Sequence, residues 1–151
     1  MIDRELHIGV VSEPRIVDVE AGFLKFFAKA TGETNPIYFD EAAAQDAGHP
    51  TIPMPPTYLF SLHRSHPARR GDVLDKDGGI GVDMARVLHG EQGFIHHRPI
   101  YAGERITITT TTDDIYDKKD GALEFVVKTS CAVNQHDELV AEMRTVLVCR
   151  H

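Results

Sequence analysis

The chain has 151 residues, 42% of them apolar and 26% charged, which is the composition of one folded domain spanning 1–151. Lys and Arg number 16 against 23 Asp and Glu, a formal charge of −7. That balance excludes a general nucleic-acid binder and a protein docked on an anionic membrane, because both need a basic face.

In chain order, Met1-Ile2-Asp3-Arg4-Glu5 carries early acids and no apolar stretch of a secretory signal. No later run approaches the ~20 apolar residues of a membrane helix. Val19, Phe23, Phe26 or Phe27, and Ala30 recur at the spacing of one helix face, which predicts a helix closed by Gly32. Glu33 to Phe39 is too short and interrupted for another, since Pro36 pushes Asn35 out of the α region. Asp40 is placed to cap a short helix through Gln45, ended by Gly48. Pro50, Pro53, Pro55 and Pro56 make a rigid, extended loop, and Pro55-Pro56 leads into an apolar helix from about 56 to 65. Residues 66–80 read as a polar loop.

Beyond Gly81 the chain is rich in Val, Ile, Thr and Phe. Val87 to Ile100, Arg105 to Tyr116, Leu123 to Val133 and Leu139 to Val148 read as strands. Lys119-Asp120-Gly121 and Asn134-Gln135-His136-Asp137 read as turns. Short turns make the strands antiparallel. A long sheet with one face to bury needs a cover, and the helix at Tyr58 to Leu62 is the most apolar candidate. The expected fold is α+β, a long antiparallel sheet wrapped around that central helix.

The segment that carries chemistry is Ala30-Thr31-Gly32-Glu33-Thr34-Asn35-Pro36-Ile37-Tyr38-Phe39. At Thr31, Gly32, Asn35, Pro36 and Ile37 it resembles the signature of the MaoC-like (R)-specific enoyl-CoA hydratases, which runs small-Gly-Asp-any-Asn-Pro-aliphatic-His. Phe39-Asp40-Glu41-Ala42-Ala43-Ala44, Ile52-Pro53-Met54-Pro55-Pro56-Thr57-Tyr58, His89-Gly90-Glu91-Gln92-Gly93-Phe94, His97-Arg98-Pro99-Ile100 and Ala102-Gly103-Glu104 extend the likeness to the fatty-acid-synthase-like dehydratase branch. The resemblance implies a single hot-dog domain that acts on acyl thioesters of coenzyme A or phosphopantetheine, with no further cofactor. The implied reaction is reversible hydration of a trans-2-enoyl thioester to the 3-hydroxyacyl thioester.

Two motif positions differ. Glu33 stands where the family has Asp, and Tyr38 where it has His. Tyrosine, with a pKa of ~10 against ~6.5 for histidine, is a poor general base near neutral pH. The catalytic candidates are therefore Glu33 and Tyr38, with Asn35 in support. The resemblance places the thioester carbonyl against a backbone N–H of Thr57 or Tyr58, next to Pro56. His89, Gln92 and Arg98 complete the substrate-binding candidates, with Arg69 and Arg70 as further basic residues for phosphates. His89 and Gln92 have odd separation, so a regular strand would turn them to opposite faces. The double departure also resembles the non-catalytic subunits of heterodimeric hydroxyacyl-carrier-protein dehydratases, in which the partner carries the Asp and His. The implied assembly is a homodimer, or a heterodimer with a catalytic MaoC-like subunit.

His63 and His66, with His96 and His97, lack the three or four converging ligands of a metal site, so no metal is expected. Cys131 and Cys149 make no disulfide framework; they read as small buried hydrophobes of a cytoplasmic protein with reduced thiols.

Overall fold

Four long strands make up most of a single sheet, against which residues of two of the helices pack. The computed structural model describes residues 1–64 and 79–151. The elements are α1 (Arg4–His7), β1 (Arg15–Asp18), α2 (Ala21–Ala30), α3 (Glu41–Asp46), α4 (Tyr58–Arg64), β2 (Val87–His96), β3 (Arg105–Lys118), β4 (Leu123–Val133) and β5 (Leu139–Arg150). The sheet runs β1-β3-β4-β5-β2, and every neighbouring pair is antiparallel. Its inner face buries Ile106, Ile108, Ala132, Ala141 and Met143 with Leu59 and Leu62 of α4. A sheet closed over α4 is the hot-dog arrangement. Among the described residues no helix is long and apolar enough to cross a membrane.

The proline-rich loop is stitched into this core. Met54 N–H donates to the Ile100 carbonyl at 2.7 Å, and Ala102 N–H to Ile52 at 3.0 Å. The turns fall where expected: Lys119, Asp120 and Gly121 all have positive φ. The Asn134 side-chain oxygen accepts from the N–H groups of His136 and Glu138. β2 stops at His96, short of Ile100, because His97 N–H donates to Val140 and Pro99 has no N–H to continue a ladder.

Two expectations are corrected. In α2, Leu24 and Ala28 are the buried residues, whereas Phe23 and Phe26 are 58% and 71% exposed. The face i, i+4 of the smaller side chains meets the core, only Phe27 packs partly against it, and Val19 is buried ahead of the helix. In β2 the register shifts between His89 and Glu91, so Gly90 is an extra residue. His89 pairs with Leu147 and Gln92 with Thr145, two positions apart on β5, so both point to the same face.

The bulge explains the glycine. A Cβ at residue 90 would lie 2.8 Å from Val148 Cγ2 and 3.2 Å from the Val146 carbonyl oxygen. The valine can rotate, but the carbonyl belongs to the paired strand. Gly90→Ala is therefore expected to cost about 1–3 kcal/mol by overpacking, lowering Tm by about 2–4 °C per kcal/mol in a domain of this size. Calorimetry checks this, and an unchanged Tm would mean that β5 yields freely.

The core is divided. Stepping by two along the inner face of β4, Ala132 belongs to the α4 cluster, and Val126 to a second cluster with Ile2, Ile80, Ile115, Leu147 and Cys149. Between them runs a polar row in direct register across four strands, Thr112–Lys128–Thr145–Gln92. Ser130 and Thr110 add a side-chain hydrogen bond of 2.8 Å beside it.

Candidate functional site

The site segment begins where α2 ends. Glu33 N–H donates to the Ala28 carbonyl at 2.9 Å and Gly32 N–H to Lys29 at 3.2 Å, which is a Schellman closure. Its turn residue, Gly32, sits at φ +77, where a side chain would be strained. The closure delivers Glu33 to the surface at the head of a tight loop. There its Oε1 accepts both the Thr34 and Asn35 N–H groups, at 2.8 and 2.9 Å. The Asn35 side chain accepts from Ile37 N–H and opens a 3-10 turn over Pro36–Tyr38. Asp40 then caps α3 through Ala43 N–H at 2.8 Å. Glu33, Asn35 and Asp40 each use a side-chain oxygen to hold the turn that follows, so the backbone of the segment is fixed locally.

Two electrostatic consequences follow. The two backbone N–H groups hold the Glu33 carboxyl below its ordinary range. Partial burial, and then the nearby Glu33 charge, push the Tyr38 phenol above its ordinary value. The structure thus brings the two catalytic candidates within electrostatic reach, but moves both away from general-base work. The carboxylate is a weaker base and the phenol a more reluctant acid. For Glu33 the expected result is a carboxyl NMR titration midpoint below the ~4.3 of an unperturbed glutamate. With the folded value depressed, the loop's stabilisation is present above the unfolded pKa and is lost as pH falls through the folded one.

The binding candidates are dispersed. At the start of α4, Pro56 and Thr57 are exposed and Tyr58 is buried, its ring edge-on to Phe27 at 5.0 Å. Tyr58 N–H donates to the Pro55 carbonyl at 2.9 Å, and of the two it is Thr57 whose N–H has no acceptor among the described residues. His89 is exposed on β2 and packs its ring against Phe60 of α4 at 5.0 Å. Gln92 is held by the sheet: Nε2 donates to the Arg144 carbonyl at 2.9 Å and Oε1 accepts from Thr145 at 3.0 Å. Arg98 is bracketed by Glu104 at 2.7 Å and Glu138 at 2.9 Å, which answers its charge. Arg69, Arg70 and His66 lie outside the described residues. Among the described residues, no hydrogen bond or ring contact joins Glu33 or Tyr38 to this second group.

Sequence reasoning missed a cleft of about 250 Å³ between β1, α2 and α4, lined by Ile16, Val17, Phe23, Tyr58 and Leu62 together with the acidic Asp18 and Glu20. It also missed Arg64, whose guanidinium lies over the Phe60 ring at 5.3 Å. The signal for the cleft was the second apolar face of α2, the one bearing Phe23. Burial raises the pKa of both Cys131 and Cys149, so neither thiol is activated. No three His, Cys, Asp or Glu side chains converge on a metal-sized site among the described residues.

With this geometry in hand, comparison with known proteins is informative. Residues 6–143 match the family model of the FAS1-like dehydratase domain region. A UPF0336 protein of Streptomyces coelicolor is 41% identical over 106 residues, covering 69% of this chain and 68% of that protein. One from Thermobifida fusca is 32% identical over 137 residues, covering 91% and 86%. Among solved structures, the C-terminally truncated HadBC (3R-hydroxyacyl-ACP dehydratase) complex from Mycobacterium tuberculosis is similar at TM-score 0.77 and 25% identity, over 94% of this chain and 96% of that one. The ChsH1-ChsH2 complex from the same organism is similar at TM-score 0.76 and 28% identity, over 97% and 92%.

Proposed function

Because the chain belongs to the FAS1-like dehydratase-region family, we propose that it serves 3-hydroxyacyl thioester dehydration as the acyl-binding member of a two-chain enzyme. The observation that carries this is at Glu33. One oxygen of its carboxylate is taken up by two N–H groups of its own loop, and its pKa is lowered. Tyr38, in the place of the family's histidine, has its proton held more tightly. A base of that kind forgoes roughly 10²–10⁴-fold in rate.

The binding half supports the same reading. The open Thr57 N–H at the head of α4 can donate to a thioester carbonyl, and the cleft beside Tyr58 offers an apolar wall. The partner supplies the Asp and His, and reversible hydration of the trans-2-enoyl thioester proceeds in its half of the assembly. The two solved complexes named above each bear two chain names, which supports an assembly of unlike chains.

A second reading rests on one observation: the exposed Glu33 carboxylate lies near enough to Tyr38 to raise its pKa. There the chain hydrates enoyl thioesters by itself, with Glu33 as base and Tyr38 orienting the water. The test is loss of enoyl absorbance from a short trans-2-enoyl-CoA, with the chain alone and after mixing with a MaoC-like chain that has the intact Asp and His. The expected result is ligand binding without turnover alone and turnover in the mixture. Turnover by the chain alone that disappears in Glu33→Gln would establish the second reading instead.

A further inference from the structure

We propose that the far end of the sheet, where β2 begins and β5 ends, holds a binding site for a small phosphate-bearing molecule gripped by Arg86 and Arg150. The inference is independent of the thioester reading and uses none of the residues of the Glu33–Tyr38 segment.

A cavity of about 400 Å³ opens there, lined by Arg86, Arg150, His151 and Asp83 together with the apolar Ile2, Ile80 and Val82. That volume lies within the range of small-molecule sites. Val87 pairs with Cys149 across the strands; Arg86 closes the 3-10 turn Met84–Arg86 that leads into β2, and Arg150 ends β5, so both lie at the same end of the sheet.

Among the described residues neither arginine has a carboxylate partner. Arg4, Arg98, Arg105 and Arg144 each have one. In a chain of net charge −7, two unanswered guanidiniums on one cavity are out of keeping with the rest of the surface. Asp83 also borders the cavity and brings one carboxylate to it; its Oδ1 accepts from Ala85 N–H at 3.0 Å to cap the turn that carries Arg86, and it pairs with neither arginine among the described residues.

The wall is built rather than loose. Glu124, fully buried, accepts the Ile2 N–H with both oxygens at 3.0 and 2.9 Å, and meets His151 Nε2 at 2.5 Å. His151 is thereby held against Glu124, which leaves the two guanidiniums as the side-chain cations of the cavity without a partner among the described residues. Two planar forks match a phosphate dianion, with its several oxygens, better than a monoanionic carboxylate. The apolar Ile2, Ile80 and Val82 would take the organic part of a phosphomonoester.

The test is a titration of the isotope-labelled full chain, followed by backbone amide shifts, with inorganic phosphate in one arm and adenosine 3′-phosphate in the other. Saturable shifts are expected at residues 80–87 and 149–151, weakened at least tenfold in Arg86→Ala and in Arg150→Ala but not in Arg144→Ala. Tighter binding of the nucleotide would identify a nucleotide-borne phosphate, and equal binding a phosphate group alone; both support the site. Both arginines are exposed, so the variants should fold, and a thermal melt of each verifies that. No saturation, shifts centred elsewhere, or equal weakening in all three variants would overturn the proposal.

Discussion

Changing Glu33 to Asp and Tyr38 to His together is expected to raise the chain's own hydration of a trans-2-enoyl-CoA by at least ~10²-fold, the low end of what a working general base contributes. The backbone that would carry the new pair is already set. The Schellman closure delivers residue 33, and the Asn35-capped turn presents residue 38. What the present pair lacks is a group that takes up a proton near neutral pH: backbone N–H donors hold the Glu33 carboxyl low, while burial and the Glu33 charge hold the Tyr38 phenol high. A histidine, with an ordinary pKa of ~6.5, exchanges protons in the range where the reaction runs. Steady-state rates of wild type, both single variants and the double variant decide the matter. A double variant that still binds ligand but stays at background would show that positions 33 and 38 do not account for the missing activity.

Leu59→Ala should be the most damaging single truncation in α4, at about 2–5 kcal/mol. Leu59 is 1% exposed and packs in the same cluster as Ile106, Ile108 and Met143. A loss of that size is a large part of the ~5–15 kcal/mol by which domains are stable. Phe26→Ala removes a larger side chain but one that is 71% exposed, so it should change stability by no more than ~0.5 kcal/mol. Paired urea melts measure both. The reverse order would mean that α2 buries its phenylalanine face in the folded chain.

That comparison marks where the sequence was legible and where it was not. The four long strands could be read because β-branched residues, turn residues and length all agree, as in Arg105–Lys118. The Asp40 cap could be read because it acts over three residues. The buried face of α2 could not, since bulk pointed to Phe23 and Phe26 while the core accepted Leu24 and Ala28. α1 and β1, four residues each, are too short to show a period. The parity of His89 and Gln92 turned on a single extra residue, Gly90, whose reason lies across the sheet at Val146 and Val148. At the site, the motif pointed to Glu33 and Tyr38, which the fold does bring near one another. Arg98 and Gln92 find their partners 6 to 53 positions away, and no local pattern records such distances.

The polar row through the middle of the sheet has a consequence for how the molecule comes apart. Thr112, Lys128, Thr145 and Gln92 separate two oily reservoirs that share strands but not side-chain contacts. Damage in one reservoir is poorly transmitted to the other, so cavity-forming changes at Leu59 and at Ile115 should add rather than compound. The end of the sheet that holds Ile2 and Ile80 can then loosen as a unit of its own, exchanging its amide hydrogens while the end around α4 stays closed.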